Sequence, residues 1–474
     1  MLTYDMSEAN KPLYLYIYEC IKEDIIKGEL KTDEKMPSKR TLAGNLGVSS
    51  ITVENAYSLL ISEGYMYAVP RRGYFVSRIT RQHHDLTAHK VLNIRKGRKE
   101  ETGLYDFSSN KTERSDFPFS IWARLMRENI SQREKDLLTV SPCEGIGELR
   151  EAIAGHLRSF RGMDIDPDQI IVGAGTEYLY GLLIKLLGED KIYCVENPGY
   201  KKLMSIYRSN GVECRYVDLD EWGMNVDDLR TCGAEITHIC PNHHFPTGIT
   251  MPVSRRYELL AWANEEQGRY IIEDDYDSEF RLKGKPVPPI QSIDACQKVI
   301  YMNTFSKSLT STIRMSYMVL PEHLANRFFE KLSFYANTVS TFEQYTLASF
   351  IEQGYFEKHI NRMRLRYGRK RTLVLDMIKE VLGPEECRII ENESGLHFVM
   401  EFNTDIPDEE LKKKLAKKRI KMASITDFYM DGISRDKHQF ILNYSSLDAA
   451  GLKQALGEIK QVLEEGRKEK RKKQ

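Results

Sequence analysis

The chain has 474 residues, too many for one ordinary domain, so two or three are expected. Apolar residues make up 41% and 69 basic residues balance 69 acidic ones, so the chain can build sizeable cores but carries no net field toward nucleic acid or membrane; any DNA contact must come from a local patch. The eight cysteines show no CxxC pair or secreted-type spacing, no window approaches ~18 apolar residues and the N-terminus has no signal pattern, which reads as a soluble protein of a reducing cytoplasm with no membrane partner.

In chain order, PLYLYIYECIKEDIIKGEL (12–30) carries apolar residues at helical spacing, with Gly28 at its end. MPSKRTLAGNLGV predicts a second helix with Ser38 as N-cap and Gly47 at its end, and SSITVENAYSLLISEGY predicts a third. YAVPRRGYFVS reads as a hairpin around Pro70, Arg71, Arg72 and Gly73. Helix, short helix, turn, helix and β-wing over 11–78 make a winged helix-turn-helix. Such units read bases through the N-terminal residues of the recognition helix, here Ser49, Ser50 and Thr52. Lys39 and Arg40 at the preceding helix start and Arg71 and Arg72 at the wing tip are the candidate backbone contacts. The blander alternative is a helical protein-interaction module with ordinary surface charges. KPLYLYIYECI, MPSKRTLA, LGVSSITVENAY and EGYMYAVPRRGYFV occurring together disfavour it, because this stretch resembles the GntR-type winged helix. That family often has an arginine where this chain has Ser50, and Glu54 adds a negative charge, so a different operator is implied.

Residues 79–103 are basic, polar and aperiodic and read as a linker. Beyond them QIIVGAG, KIYCVEN, ITHICPN, RYIIEDDY and KVIYMNTF are short apolar runs separated by helical stretches. That alternation predicts an α/β fold, a mostly parallel sheet covered on both faces, with ligands at the carboxyl ends of the strands. The domain is expected over 104–465, with a smaller α+β lobe from about 330 that includes GLHFVMEF and QFILNY. The basic tail 466–474 reads as a solvated, frayed end.

Lys307 lies in NTFSKSLTSTIRMSYMVLP, between serines after an apolar strand, with Arg314 seven residues on. A lysine amine condenses with an aldehyde, the use lysine has with pyridoxal phosphate (PLP). That cofactor also needs an acid at its pyridine nitrogen, a phosphate cradle and a ring packed on its face. In RYIIEDDYDSEFR, strand alternation puts Asp274 and Tyr276 on one face and Glu273 and Asp275 on the other. Asp274 suits the pyridinium proton and Tyr276 the ring oxygen; Mg²⁺ binding by the acids is the weaker alternative, because alternation splits them. In QIIVGAGTEYLYGLL a strand runs through a glycine turn into a helix, so Ala174, Gly175 and Thr176 are phosphate candidates through backbone N–H groups. Ser306 and Arg314 would add phosphate contacts, and Tyr200 in VENPGY would cover the ring, although such a tyrosine is more often a core aromatic.

From Lys11 to about Glu465 the chain resembles the MocR/GabR family, GntR-type winged helices fused to a fold-type I aminotransferase domain. ENPGY, HHFPTG, IIEDDYDSEFR, NTFSKSLTSTIRMSYMV and YFEKHINRMRLRYGRKR carry the resemblance, in the family's order and spacing. It implies that Lys307 holds the cofactor as a Schiff base, Asp274 pairs with its pyridine nitrogen, and Tyr276 contacts its ring hydroxyl. Arg314 and Ser306 would hold the phosphate, with Tyr200 against the ring. It also implies a head-to-tail homodimer.

Three departures bear on the ligand. The arginine that commonly binds a substrate α-carboxylate falls at Ile441 in FILNYSSL, with Asn443 as another polar group on that strand and Lys202 after PGY. Losing a charge-assisted carboxylate contact weakens binding by about 1.5–3 kcal/mol, roughly tenfold to a hundredfold. Phe245 stands where transaminases have asparagine before PTG, and Val140 where a tyrosine often precedes SPCEG; the resemblance implies that the tyrosine gives a phosphate contact from the partner chain, so that contact is expected to be missing here and PLP to bind more loosely. The reading is therefore a PLP-dependent, DNA-binding regulator whose effector is PLP itself or an amino compound. The alternatives are a working aminotransferase with an accessory DNA-binding domain and, disfavoured by the complete constellation, a degenerate scaffold.

Overall fold

Each N-terminal helix buries one apolar stripe, and three short strands close the unit they form. The computed structural model describes residues 2–79, 105–108, 117–282, 287–390, 395–433, 435–445 and 449–473. The chain divides into two compact units, Met1–Lys99 and Glu100–Gln474; most of the expected linker lies outside the described residues.

The first unit comprises α1 (Leu13–Lys27), β1 (Lys35–Met36), α2 (Lys39–Leu46), α3 (Ser50–Ser62), β2 (Met66–Val69) and β3 (Gly73–Val76), with antiparallel strand order β1-β3-β2. Gly28 and Gly47 end α1 and α2 in the left-handed conformation, and Ser38 Oγ caps α2 by accepting from Thr41 N–H, as the sequence predicts. Ile17, Ile21, Leu42, Val53, Tyr57 and Leu60 form the core, each worth about 1.5–3 kcal/mol when fully buried. Leu2, Tyr4 and Met6 pack on it, so the unit reaches further toward the N-terminus than the expected start at Lys11.

The second unit opens with β4 (Tyr105–Asp106), α4 (Phe119–Gln132), α5 (Glu134–Leu137) and α6 (Gly147–Arg161). Then follow β5 (Ile170–Gly173), α7 (Thr176–Leu187), β6 (Tyr193–Asn197), α8 (Lys201–Ser209), β7 (Cys214–Asp220), β8 (Gly223–Met224) and α9 (Val226–Thr231). Next come β9 (Ile236–Ile239), α10 (Val253–Glu265), β10 (Tyr270–Asp274), β11 (Val299–Thr304), α11 (Phe305–Ser308) and β12 (Ser316–Val319). These strands make one sheet in the order β5-β12-β11-β10-β9-β6-β7-β8, antiparallel at β12 and β8 and parallel elsewhere. The five expected strands are β5, β6, β9, β10 and β11. All of β11 is buried, with Ile300 and Met302 in one core and Tyr301 in another, because both faces of the sheet are covered.

The chain ends with α12 (Glu322–Leu332), α13 (Thr341–Glu352), α14 (Tyr355–Val381), β13 (Cys387–Ile390), β14 (His397–Phe402), α15 (Asp408–Lys417), β15 (Ile420–Lys421), β16 (Ala423–Ser424), β17 (Gln439–Asn443) and α16 (Ala449–Lys473). The small-lobe sheet runs β13-β14-β17-β16, and β15 pairs with β4. The lobe begins later than about 330. Phe328 in α12, Phe350 in α13 and Ile360 in α14 still pack on the large-sheet cores, whereas Met363 and Tyr367 join the small-lobe core. One helix thus spans both lobes. The basic tail corrects a second expectation: it continues α16 as helix to Lys473, after Leu456, Ile459 and Leu463 anchor that helix in the core. All eight cysteines are free thiols. Among the described residues no helix is long and apolar enough to cross a membrane.

Candidate functional site

Strand β10 ends at Asp274, between the parallel neighbours β9 and β11. Its Oδ2 accepts from the Tyr180 hydroxyl at 2.8 Å and lies 3.5 Å from His238 Nε2. The His238 ring, on β9, is fixed by a 2.7 Å hydrogen bond between Nδ1 and the Tyr207 hydroxyl. Asp274 Oδ1 is buried with no hydrogen-bond partner among the described residues. A buried carboxylate oxygen left unsatisfied is destabilising by about 1–3 kcal/mol or more, so it is an acceptor awaiting a donor. A pyridinium N–H is such a donor, and this orphan atom fits the expected cofactor.

Glu273 and Asp275 point away from Asp274, as strand alternation predicts. Glu273 accepts from Ile290 N–H at 2.9 Å and Gln291 N–H at 3.0 Å, and burial pushes its carboxyl up to about 7. Asp275 accepts from Arg161, Tyr301 and Asn242, each at 2.7 Å. Both therefore serve the buried network behind the strand.

Lys307 sits on the short helix α11, at the carboxyl end of β11. Thr304 caps that helix: its Oγ1 accepts from Ser306 N–H at 3.2 Å and from the Ser316 hydroxyl at 2.8 Å, and its own hydroxyl donates to Ser306 Oγ at 3.0 Å. Burial lowers the Lys307 ammonium to about 8, opposed by the charge of Asp277. A depressed pKa leaves more of the amine in its nucleophilic form.

Two of the expected phosphate-binding residues, Gly175 and Arg314, meet at the N-terminus of α7. The Gly175 φ is +94°, and a Cβ there would lie 2.7 Å from Arg314 Nη2, so only glycine lets this guanidinium lie against the N-terminus of α7. Two of the three predicted amides are already engaged. Ala174 N–H donates to Thr338 Oγ1 at 3.0 Å and Gly175 N–H to Gly173 O at 2.8 Å, because the chain turns tightly before the helix. Thr176, the first residue of α7, keeps the expected position. Tyr200 stands at the N-cap position of α8 with no side-chain cap bond and is 49% exposed, which disfavours the alternative of a core aromatic. The Tyr276 hydroxyl donates to His243 O at 3.1 Å, so the contact expected from it to a ring oxygen would compete with that bond.

Ile441 is 2% exposed, in an apolar cluster with Val399, Ile425 and Tyr429. Phe245 packs against this cluster, its ring 5.3 Å from His397 and 5.1 Å from Phe428. Asn443 Oδ1 accepts from Ser445 N–H and Oγ, and Lys202 is ion-paired with Glu177. The position matched to the family's carboxylate-binding arginine is therefore enclosed in an apolar cluster.

Sequence reasoning missed Tyr180, His238 and Tyr207 behind Asp274, and the buried pair of His243 Nδ1 with Asp277 Oδ2 at 2.8 Å. The only signal for Tyr180, His238 and Tyr207 was a polar or aromatic residue inside a mostly apolar run, whereas His243 and Asp277 lay in polar stretches with nothing to pair them. That signal does not separate a relay from ordinary core packing.

On the first unit, Ser49 Oγ caps α3 by accepting from Thr52 N–H at 3.1 Å and lies 2.8 Å from Thr52 Oγ1. These two hydroxyls are held in the cap, while Ser50 is exposed. Lys39 forms a 2.5 Å ion pair with Glu54 of α3, so it is partly neutralised. Arg40, Arg71 and Arg72 are exposed, and Arg71 turns the hairpin with φ +61°.

Residues 103–459 match the family model described as aminotransferase class I and II, and residues 13–76 the one described as bacterial regulatory proteins, gntR family. The chain is 36% identical to the uncharacterized HTH-type transcriptional regulator YdeL of Bacillus subtilis, over 88% of this chain and 90% of that one. It is 30% identical to the HTH-type pyridoxine biosynthesis transcriptional regulator PdxR of Corynebacterium glutamicum, over 94% and 95%. It is 29% identical to the probable rhizopine catabolism regulatory protein MocR of Rhizobium meliloti, over 96% and 94%. Among solved structures, the multiple substrate aminotransferase of Thermococcus profundus matches with a TM-score of 0.69 at 23% identity, over 78% of this chain and 93% of that one. The kynurenine aminotransferase of Pyrococcus horikoshii, solved with PMP, matches with a TM-score of 0.68 at 24% identity, over 77% and 92%. These structural likenesses show the fold-type I aminotransferase fold.

Proposed function

The chain belongs to the MocR-type transcriptional regulators, in which a gntR-family DNA-binding domain is joined to an aminotransferase class I and II domain, and from that premise we propose a PLP-dependent switch. The winged helix binds an operator, and the aminotransferase-like domain binds PLP and responds to a small molecule. The observation that carries the cofactor is the orphaned, buried Asp274 Oδ1 at the carboxyl end of the parallel strands.

When bound, PLP supplies an aldehyde that condenses reversibly with amines. Lys307 presents the amine, and Asp274 would hold the pyridine nitrogen protonated, supported by Tyr180 and His238. Arg314, Ser306 and Thr176 at the start of α7 would bind the phosphate, with Gly175 leaving room for the guanidinium, and Tyr200 would lie on the ring. A ligand that binds one conformation more tightly shifts DNA affinity by linkage, typically about 5–150-fold.

We propose PLP itself as the signal. The apolar setting of Ile441 weakens the case for an amino acid, and PdxR, one of the relatives, is named for pyridoxine biosynthesis. The active form would be a homodimer, supported by the exposed apolar side chains Phe119, Leu138, Val140 and Phe334. Visible absorbance during PLP titration, beside a Lys307→Ala control, tests the reading. Saturable binding in the wild type, lost in the variant, together with PLP-dependent DNA affinity, is the expected result. PLP retained at far below cellular levels would make it a fixed prosthetic group and turn the search to amines. The complete lysine, aspartate and arginine set keeps a second reading, a working aminotransferase. Steady-state turnover with a panel of amino donors and keto acids separates the two, and slow or half-reaction activity is expected.

A further inference from the structure

Helix α3 buries Val53, Ala56, Tyr57 and Leu60 and exposes Ser50, Ile51, Glu54, Asn55 and Ser58. Ile51 is the anomaly on the outer face: an aliphatic side chain, 69% exposed, at the second position of the helix. A single exposed apolar residue is ordinary on most surfaces. This one lies where a recognition helix meets base edges. The neighbouring polar groups are largely committed, with the Ser49 and Thr52 hydroxyls in the cap and Glu54 paired with Lys39. Exposed Arg40, Arg71 and Arg72 on the same unit complement a phosphate backbone. In the major groove the apolar group that base pairs present is the thymine 5-methyl. We propose that Ile51 is a specificity-determining residue that packs on the 5-methyl group of a thymine in the operator. This rests on the DNA-binding reading of the winged helix, and it assigns base selectivity to a residue outside the hydrogen-bonding set.

The test uses the full chain. Duplexes are selected from a random library, and each thymine of the selected site is then replaced singly by deoxyuridine, which removes only the methyl group. One replacement per half-site is expected to weaken wild-type binding about fourfold, the effect of one buried methyl-sized group. The same replacement should leave binding by Ile51→Ala unchanged, so that the two losses are not additive. Ile51 is solvent-facing, so the variant should keep the wild-type melting temperature. Equal deoxyuridine penalties in both proteins, or no methyl-dependent position at all, would overturn the proposal. Failure of the wild type to enrich any sequence would overturn the DNA-binding reading itself, and the proposal with it.

Discussion

Lys307 and Asp274 show how single side chains are tuned by what surrounds them. Burial lowers the Lys307 ammonium to about 8, so about a tenth of the amine is neutral at pH 7 and the rate of PLP capture should rise with pH and level off above about 8. Stopped-flow absorbance at several pH values checks this. The same shift bears on stability. Between about 8 and the ordinary 10.5 the unfolded chain holds a proton that the folded chain has lost. The apo-protein should therefore gain stability with rising pH across that window relative to Lys307→Met, which urea melts at both ends would show. Asp274→Ala removes the acceptor for the pyridine nitrogen, and PLP affinity should fall roughly tenfold to a hundredfold. Titration beside an unchanged melting profile separates this from misfolding. Asp274 was legible because strand alternation gives it a face, whereas Tyr180 and His238 behind it were not, because a buried tyrosine or histidine looks the same in sequence whether or not a carboxylate lies beside it.

At the scale of elements, short turns set the geometry of the proposed site. Gly175 joins β5 to α7 at φ +94°, and any side chain would push into Arg314. Gly175→Ala should loosen the phosphate cradle and weaken PLP binding while leaving Lys307 in place, so binding stays detectable in absorbance at higher PLP. The glycine turn was readable from QIIVGAGTEYLYGLL, but the engagement of Ala174 N–H by Thr338 was not, since the two residues are 164 positions apart. In the winged helix, Ser38→Ala removes the cap of α2 and should destabilise that unit by about 1 kcal/mol, seen as a lower midpoint in thermal melts. The Ser38 and Ser49 N-caps and the Gly28 and Gly47 C-caps follow local rules, and the sequence alone located Ser38, Gly28 and Gly47.

At the scale of the whole molecule, the proposed switch would couple the two units through the proposed homodimer. Val140 is 80% exposed at the position where a tyrosine often stands in the family. If the partner's phosphate contact is missing for want of that hydroxyl, Val140→Tyr should tighten PLP binding severalfold and flatten the response of DNA affinity to added PLP. Equilibrium titration and a gel-shift series at fixed PLP measure the two effects. Light scattering with and without PLP reads the assembly, and a monomer under both conditions would remove the partner-contact account.

The sequence by itself determined the two-part plan, the winged helix, the strand that ends at Asp274 and the strand that leads into Lys307. Capping, helical and strand periodicities and glycine turns are local, and each depends on residues within a few positions. Only the tertiary structure decided which groups meet. It set Arg314 against Gly175, left Asp274 Oδ1 without a partner, enclosed Ile441 in an apolar cluster and carried α14 across two cores. Those outcomes depend on segments far apart in sequence being brought together by burial, and pairing at that distance leaves no periodicity to read along the chain.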